Sequence, residues 1–552
     1  MPLVQRRIGI LFAFFLLLLA LAALRGLYMG TIKGGGLASA ATSQQTAVTR
    51  IPAQRGSITD RKRVPLATSE PADDISATPY LVKDPAATAN RLAPLIGVPA
   101  DELVAKLARR DTGFVYLRRG VPSSAADRIR ALKIEGIDFA PGTLRRYPRG
   151  SLAAQVVGAI GVDGRGLFGL EYSYDRLLRG RDGEQRKVMD AARKPIEVDD
   201  LVKTRAGQPI RLTIDAEVQQ KAEEVLSKVT GEYAPKGATA IVMDPETREI
   251  LAMASTPQVD LNRPGQAPDG ATQNRSVGMT YEPGSTFKPF TVAAALQEKL
   301  VKPETQFNLA PTIQVADRVI GESHERGWET LSTAQILAQS SNVGTITIGQ
   351  RLGAKRFDSW IHRFGFGRQT GVGLPGEERG MVLPLKDYSG STMGNLPMGQ
   401  GQLVTPVQMM SAYAALADDG IVRKPRIVLD GAKNPRAEAG TQVIDPEVAA
   451  QVREMLTGVF AEGGTASEVS VPGYELAGKT GTANKIDPAT GEYSKENYVA
   501  SFVGMAPAKD PKLLVGVFVD EPKGDIYGGS VAAPAFGEIA KFALPYLRIA
   551  PD

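Results

Sequence analysis

The sequence predicts an α+β protein whose main sheet is assembled from segments far apart in the chain. Three observations carry that expectation. Ala238–Asp244 and Glu249–Ser255 are β-rich runs around Pro245-Glu246-Thr247-Arg248, a hairpin signal. Tyr498–Ala506 and Leu513–Asp520 read as a second antiparallel pair. Between the two pairs lies a long, largely helical stretch, and a mostly apolar helix over Val531–Leu547 follows them. At 552 residues the chain should hold two or three domains.

Taken in order, residues 1–7 read as a short basic tail and residues 8–29 as a membrane anchor. Ile8–Leu24 is an uninterrupted apolar run between Arg6-Arg7 and Arg25, and Leu27, Tyr28 and Met29 extend it. At ~1.5 Å per residue the stretch spans a bilayer of ~30 Å. A cleaved signal peptide is the competing reading, but Ala38-Ser39-Ala40 lies too far past the apolar run. Arg6 and Arg7 favour an N-terminus inside the cell, with Arg25 and Lys33 weakening that bias. Residues 30–50, beginning Gly34-Gly35-Gly36, read as a flexible linker. Residues 51–205 are polar, loop-rich and rich in Arg, with short amphipathic helices expected over Asp101–Arg109 and Ser123–Leu132. Residues 206–552 form the α+β domain, in which Asp215 can cap a helix running to about Val229.

Composition narrows the chemistry. The net charge of +5 comes from dispersed lysines and arginines, so nucleic-acid binding is not suggested. The chain has no cysteine, which excludes disulfides, thiol catalysis and Cys-ligated metals. Its two histidines, His324 and His362, are too few and too separated for a His-based metal site and read as surface or core residues. No metal or cofactor is expected.

The chemical signal is an ordered triplet. Ser285 and Lys288 form the one Ser-x-x-Lys, inside Tyr281-Glu282-Pro283-Gly284-Ser285-Thr286-Phe287-Lys288. Ser340-Ser341-Asn342 and Lys479-Thr480-Gly481 follow, with Thr482 next. Each motif alone has a bland reading: a surface lysine, a helix-ending turn, a strand. Together and in this order they are the signature of penicillin-recognising serine acyltransferases. A helix over Ser285–Leu296 would place Ser285 in its first turn and Lys288 on the same face. A serine hydroxyl needs a base, and a lysine can serve if burial or a second cation, here Lys479, lowers its pKa. Ser340 and Asn342 should follow a helix over Leu331–Gln339. Ser340 could relay a proton between the lysines, and Asn342 could bond a peptide amide. Leu476–Ala483 resembles a strand along which an extended peptide could add, with Gly481 allowing close approach. Lys479, Thr480 and Thr482 would face a substrate carboxylate, and the N–H groups of Ser285 and Thr482 would form an oxyanion hole.

The whole chain resembles the class B penicillin-binding proteins, monofunctional peptidoglycan D,D-transpeptidases, and the division type most closely. Arg55-Gly56-Ser57-Ile58-Thr59-Asp60-Arg61 resembles the family's opening motif, although Lys62-Arg63 stands where Asn-Gly is usual. Arg146-Tyr147-Pro148 with Gly150, Ala153 and Gly158, then Gly169-Leu170-Glu171, resemble its pedestal motifs. Leu212-Thr213-Ile214-Asp215, Gly399-Gln400-Gly401 and Thr405-Pro406 resemble further landmarks, the glycine pair packing near the site. The resemblance implies an antiparallel sheet with helices on both sides, preceded by an elongated pedestal of the dimerisation type over 51–205. It implies that Ser285 attacks a D-Ala-D-Ala stem peptide outside the cell, releases D-alanine and passes the acyl group to a neighbouring amine during septal wall synthesis. β-Lactams should acylate the same serine. A SEDS-family glycosyltransferase and other divisome membrane proteins are the implied partners. Elongation- and sporulation-type members share these motifs. A carboxypeptidase or β-lactamase shares the triplet but not the long pedestal, and a β-lactam sensor would carry a cytoplasmic signalling part.

Overall fold

The computed structural model describes residues 2–33, 35, 46–189, 195–430, 439–487 and 489–552, arranged as two units. Most of the glycine-led linker, including Ala38-Ser39-Ala40, lies outside the described residues.

The smaller unit comprises residues 1–54, 70–144 and 180–207. Its first element is the helix Pro2–Thr31, of which Leu3–Thr31 is long and apolar enough to cross a membrane. A three-stranded antiparallel sheet follows, with Gly183–Met189 between Thr46–Ile51 and Pro195–Val202. A small core of its own is built where strand Val115–Pro122 pairs with Ala72–Ala77. Val115, Leu117 and Val121 alternate inward, as a half-buried strand requires, and meet Leu92, Leu103 and Ile129 from three helices. Those helices are Pro85–Ile96, Ala100–Leu107 and Ser123–Ala131, the last two close to the amphipathic segments expected there.

The larger unit holds residues 55–69, 145–179 and 208–552. Its centre is a five-stranded antiparallel sheet of β1 (Gly237–Met243), β2 (Ile250–Ser255), β3 (Ala477–Ile486), β4 (Tyr493–Ala506) and β5 (Leu513–Asp520). The order is β2-β1-β5-β4-β3, so strands over 200 residues apart pair directly, with Phe518 opposite Thr239. Every residue of β1 and β5 is buried, because helices cover both faces. On one face lie α1 (Ala216–Tyr233) and α4 (Ala533–Tyr546), with Leu226, Phe502, Val517 and Phe536 between them. The Asp215 carboxylate caps α1 by accepting from the N–H groups of Glu217 and Val218, and the helix runs four residues beyond the expected Val229. The other face carries the helical middle, whose core includes Phe287, Phe290, Met410, Tyr413 and Phe518.

The motifs of residues 55–69 and 145–179 converge on one buried carboxylate. Glu171 is fully buried and accepts from Arg55 Nε at 2.6 Å and Arg145 Nε at 2.8 Å. Tyr147 Oη donates to the same carboxylate at 3.4 Å and accepts from the Ile160 N–H. Arg145, one residue before the Arg146-Tyr147-Pro148 motif, thus joins Arg55 at Glu171. Arg63, in the position where the resembled family places glycine, adopts φ +66°. Its neighbour Lys62 reaches Tyr546 Oη at 2.5 Å and Asp215 Oδ2 at 3.0 Å, tying this turn to α4 and to the cap of α1.

Candidate active site

The helix expected from Ser285 opens as a 3₁₀ turn over Gly284–Phe287 and becomes α-helical only at Lys288, giving α2 (Lys288–Gln297). Pro289 explains the difference. It lacks the N–H that would bond the Ser285 carbonyl in an α-turn, and the Lys288 N–H takes that carbonyl instead. The turn is pinned from several sides. Gly284 N–H donates to Gly399 O at 3.0 Å, and Tyr413 Oη donates to Thr286 O at 2.7 Å. A Cβ on Gly399 would stand 2.1 Å from Gly284 O, so only glycine allows this approach. Glu282 accepts from the Gly401 N–H and from Tyr493 Oη. The Gly399–Gly401 turn therefore packs against the serine turn, as the resemblance implied.

Ser285 is part-exposed, whereas Lys288 and Lys479 are both 0% exposed. Lys288 Nζ donates to Ser340 O at 2.6 Å, Asn342 Oδ1 at 2.7 Å and Ser340 Oγ at 3.2 Å. Among the described residues no hydrogen bond joins Lys288 to Ser285 Oγ. Burial pulls Lys288 down to about 7, Arg326 adds to the fall and Glu322 opposes it. Arg326 is thus a cation acting on Lys288 beside the expected Lys479, whose charge interacts with that of Lys288. Lys479 is itself held well below its ordinary value, first by burial and then by the Lys288 charge. Two ammonium groups in one dry site repel, so each disfavours the protonated form of the other.

Ser340, Ser341 and Asn342 form the joint between two helices. The expected helix over Leu331–Gln339 is split: Glu329–Ser332 is a strand paired with Gln306–Leu309, and the helix spans Thr333–Ala338. Ser332 and Gln335 form a capping box that fixes this start. Ser340 adopts φ +63°, a left-handed conformation unfavourable for serine, before α3 (Asn342–Leu352) begins. That turn aims Ser340 O, Ser340 Oγ and Asn342 Oδ1 together at Lys288. Sequence reasoning missed what holds them there. Glu322 accepts from Ser341 Oγ at 2.5 Å and Asn342 N at 2.6 Å, while Asn342 Nδ2 donates to Gly321 O. A carboxylate in an irregular loop gives no periodic signal.

β3 is the edge strand of the sheet beside the serine turn. At Gly481 a Cβ would stand 2.5 Å from Ser501 Oγ and 2.8 Å from Thr286 Cγ2, so this glycine admits the chain's own serine turn. Lys479 Nζ approaches Thr480 O at 3.4 Å. The Thr480 hydroxyl pairs with Thr465, and the Thr482 hydroxyl accepts from Gly528 N–H at 3.1 Å. Next to Gly528, the exposed Tyr527 ring meets His324 with centroids 5.6 Å apart. The contact joins the Glu322 loop to the Thr482 side of the site. His362 lies elsewhere, its Nδ1 at 2.8 Å from Asp358 O.

Comparison with known proteins agrees with this geometry. Residues 238–541 match the family described as the penicillin binding protein transpeptidase domain, and residues 50–212 match the penicillin-binding protein dimerisation domain. The chain is 36% identical to stage V sporulation protein D of Bacillus subtilis over 542 residues, covering 95% of this chain and 83% of the relative. It is 32% identical to peptidoglycan D,D-transpeptidase FtsI of Escherichia coli over 547 residues, covering 97% and 91%. Among solved structures it is similar to penicillin-binding protein 3 of Mycobacterium tuberculosis complexed with aztreonam, with TM-score 0.72, 31% identity and coverage of 91% and 98%.

Proposed function

This chain belongs to the class B penicillin-binding proteins, serine-type peptidoglycan D,D-transpeptidases, and on that footing we propose how its own residues act and where the enzyme works. Ser285 is the nucleophile and Lys288 its base. As Ser285 Oγ bonds the carbonyl carbon of the D-Ala-D-Ala amide, its proton passes to Lys288 Nζ. The N–H groups of Ser285 and Thr482 stabilise the oxyanion. Ser340, whose Oγ accepts from Lys288 Nζ at 3.2 Å, passes its proton to the departing D-alanine nitrogen and takes the one held by Lys288, and an acyl ester on Ser285 remains. The amine of a second stem peptide attacks that ester, restoring the Ser285 hydroxyl and forming the cross-link. Asn342, Thr480, Gly481 and Thr482 bind the donor peptide along β3. The observation that carries this reading is the fully buried Lys288, held by Ser340 and Asn342 and drawn down to about 7, where it can accept a proton near neutral pH.

The proposed arrangement places residues 1–7 in the cytoplasm, 8–29 across the membrane, 30–50 as a linker whose last residues join the strand Thr46–Ile51, and 51–205 and 206–552 outside as pedestal and transpeptidase domains. The septum is its proposed place of work, with a SEDS-family glycosyltransferase and divisome proteins as partners. The likeness to FtsI and the Tyr-Glu-Pro-Gly-Ser-Thr-Phe-Lys context support this. The likeness to a stage V sporulation protein favours the second reading, a sporulation enzyme. Fluorescent penicillin should label the full chain on Ser285 and leave Ser285→Ala unlabelled; equal labelling of the variant would refute the assignment. Depletion in the host should give undivided filaments. Normal division with failed spores would select the sporulation reading.

A further inference from the structure

We infer that Glu322 and Arg326 are positioning residues for Lys288: Glu322 clamps the Ser340–Asn342 turn against the lysine, and the two opposite charges together set when the amine is free to take a proton. This rests on the reading of Ser285 and Lys288 proposed above. The clamp is geometric. One Glu322 oxygen accepts from Ser341 Oγ at 2.5 Å and from Val343 N at 3.3 Å, and the other accepts from Asn342 N at 2.6 Å. Gly321 O takes the Asn342 side-chain amide at 3.0 Å, which leaves Asn342 Oδ1 turned to Lys288 Nζ at 2.7 Å. The first turn of α3 and the strained Ser340 are thus gripped from the Glu322 side while Lys288 grips them from the other. Four residues on, Arg326 is fastened independently, donating to Gln339 O and to Glu329 Oε1, both at 3.0 Å.

The charged groups facing Lys288 are few. The 321–329 segment supplies Glu322 and Arg326, β3 supplies Lys479, and α3 supplies the uncharged Asn342. Glu322 favours the ammonium form of Lys288 and Arg326 disfavours it. Removing one charge should therefore move the acid limb of the acylation profile one way, and removing the other should move it the opposite way. Loss of structure alone would lower the plateau without moving the limb.

The test is the rate of acylation by fluorescent penicillin across roughly pH 5 to 9, on the full chain, for wild type, Glu322→Gln, Glu322→Asp, Arg326→Gln and Ser285→Ala. Wild type should show an acid limb near 7. E322Q should move it down by about one unit and R326Q up by about one unit. At a pH well below the limb, these shifts read as up to about tenfold faster and tenfold slower labelling, respectively. E322D keeps the charge and should hold the limb near wild type while lowering the plateau. A fixed limb in both E322Q and R326Q overturns the inference and leaves the function reading intact. Labelling of S285A would instead remove the reading beneath it. If E322Q does not fold, R326Q decides, because a limb that does not rise there is also incompatible with the inference.

Discussion

Lys288 shows how one residue can be costly to the fold and useful to the reaction. Among the described residues no carboxylate is hydrogen-bonded to it. It donates to a carbonyl, an amide oxygen and a hydroxyl; the neutral amine can keep the first two bonds and accept the Ser340 hydroxyl proton as the third. With an ordinary value of 10.5 and a folded value of about 7, the unfolded chain binds the extra proton between those pH values. The contribution of this group to stability therefore rises as pH climbs from about 7 to 10.5, by on the order of 5 kcal/mol. Lys288→Met should abolish acylation and remove that slope. Thermal melts of variant and wild type should differ most in the variant's favour near neutral pH, and the gap should shrink or reverse toward pH 10. A gap independent of pH would mean that the lysine is not depressed. Ser340 makes a similar exchange at the backbone, since its left-handed φ is what brings three acceptors to one amine.

At the scale of elements, the site is a junction of ends: the first turn of α2, the first turn of α3 and the edge of the sheet at β3. Ends are where backbone groups lack intrahelical partners and can serve chemistry. Edge strands keep one row of donors and acceptors free for an added strand. The turn at Lys62-Arg63 is a second junction, remote from the serine, where the sequence departs from the pattern it otherwise resembles. Arg63 sits at φ +66°, which costs a side chain about 1–2 kcal/mol relative to right-handed conformations. Arg63→Gly should stabilise the protein by roughly 0.5–1 kcal/mol once the extra freedom of glycine in the unfolded chain is counted. A rise in unfolding midpoint with unchanged penicillin labelling is the expected result. A fall would show that the arginine side chain contributes more than its backbone loses.

At the scale of the molecule, the larger unit is held together by polar as well as apolar means. Glu171 gathers Arg55, 116 residues away, with Arg145 and Tyr147 around a fully buried carboxylate. Removing its charge would leave the buried Arg145 without its carboxylate, while Arg55 would keep Asp175 at 2.7 Å. Glu171→Ala should cost about 3–5 kcal/mol and lower the unfolding midpoint sharply, whereas an effect below about 1 kcal/mol would mean that water reaches the cluster. The sheet makes the same point in apolar terms. β1 and β5 pair across most of the larger unit, so the serine turn, on one face, is seated only after both ends of that unit have been brought together.

Local patterns placed both β pairs, the Asp215 cap and the apolar N-terminal helix, because period and capping chemistry act within a few residues. The ordered triplet pointed to the family for a similar reason: Ser285, Lys288, Ser340, Asn342 and Lys479 carry their side-chain types on their face. Long-range packing was needed to bring Glu322 and Arg326 to Lys288, because they sit in an irregular loop whose position no local pattern sets. The tertiary structure also decided that Pro289 makes the serine turn 3₁₀, that the helix before Ser340 starts at Thr333, and that Gly481 admits the chain's own turn. Burial and proximity arise only when distant segments meet, and both pKa and close approach depend on them.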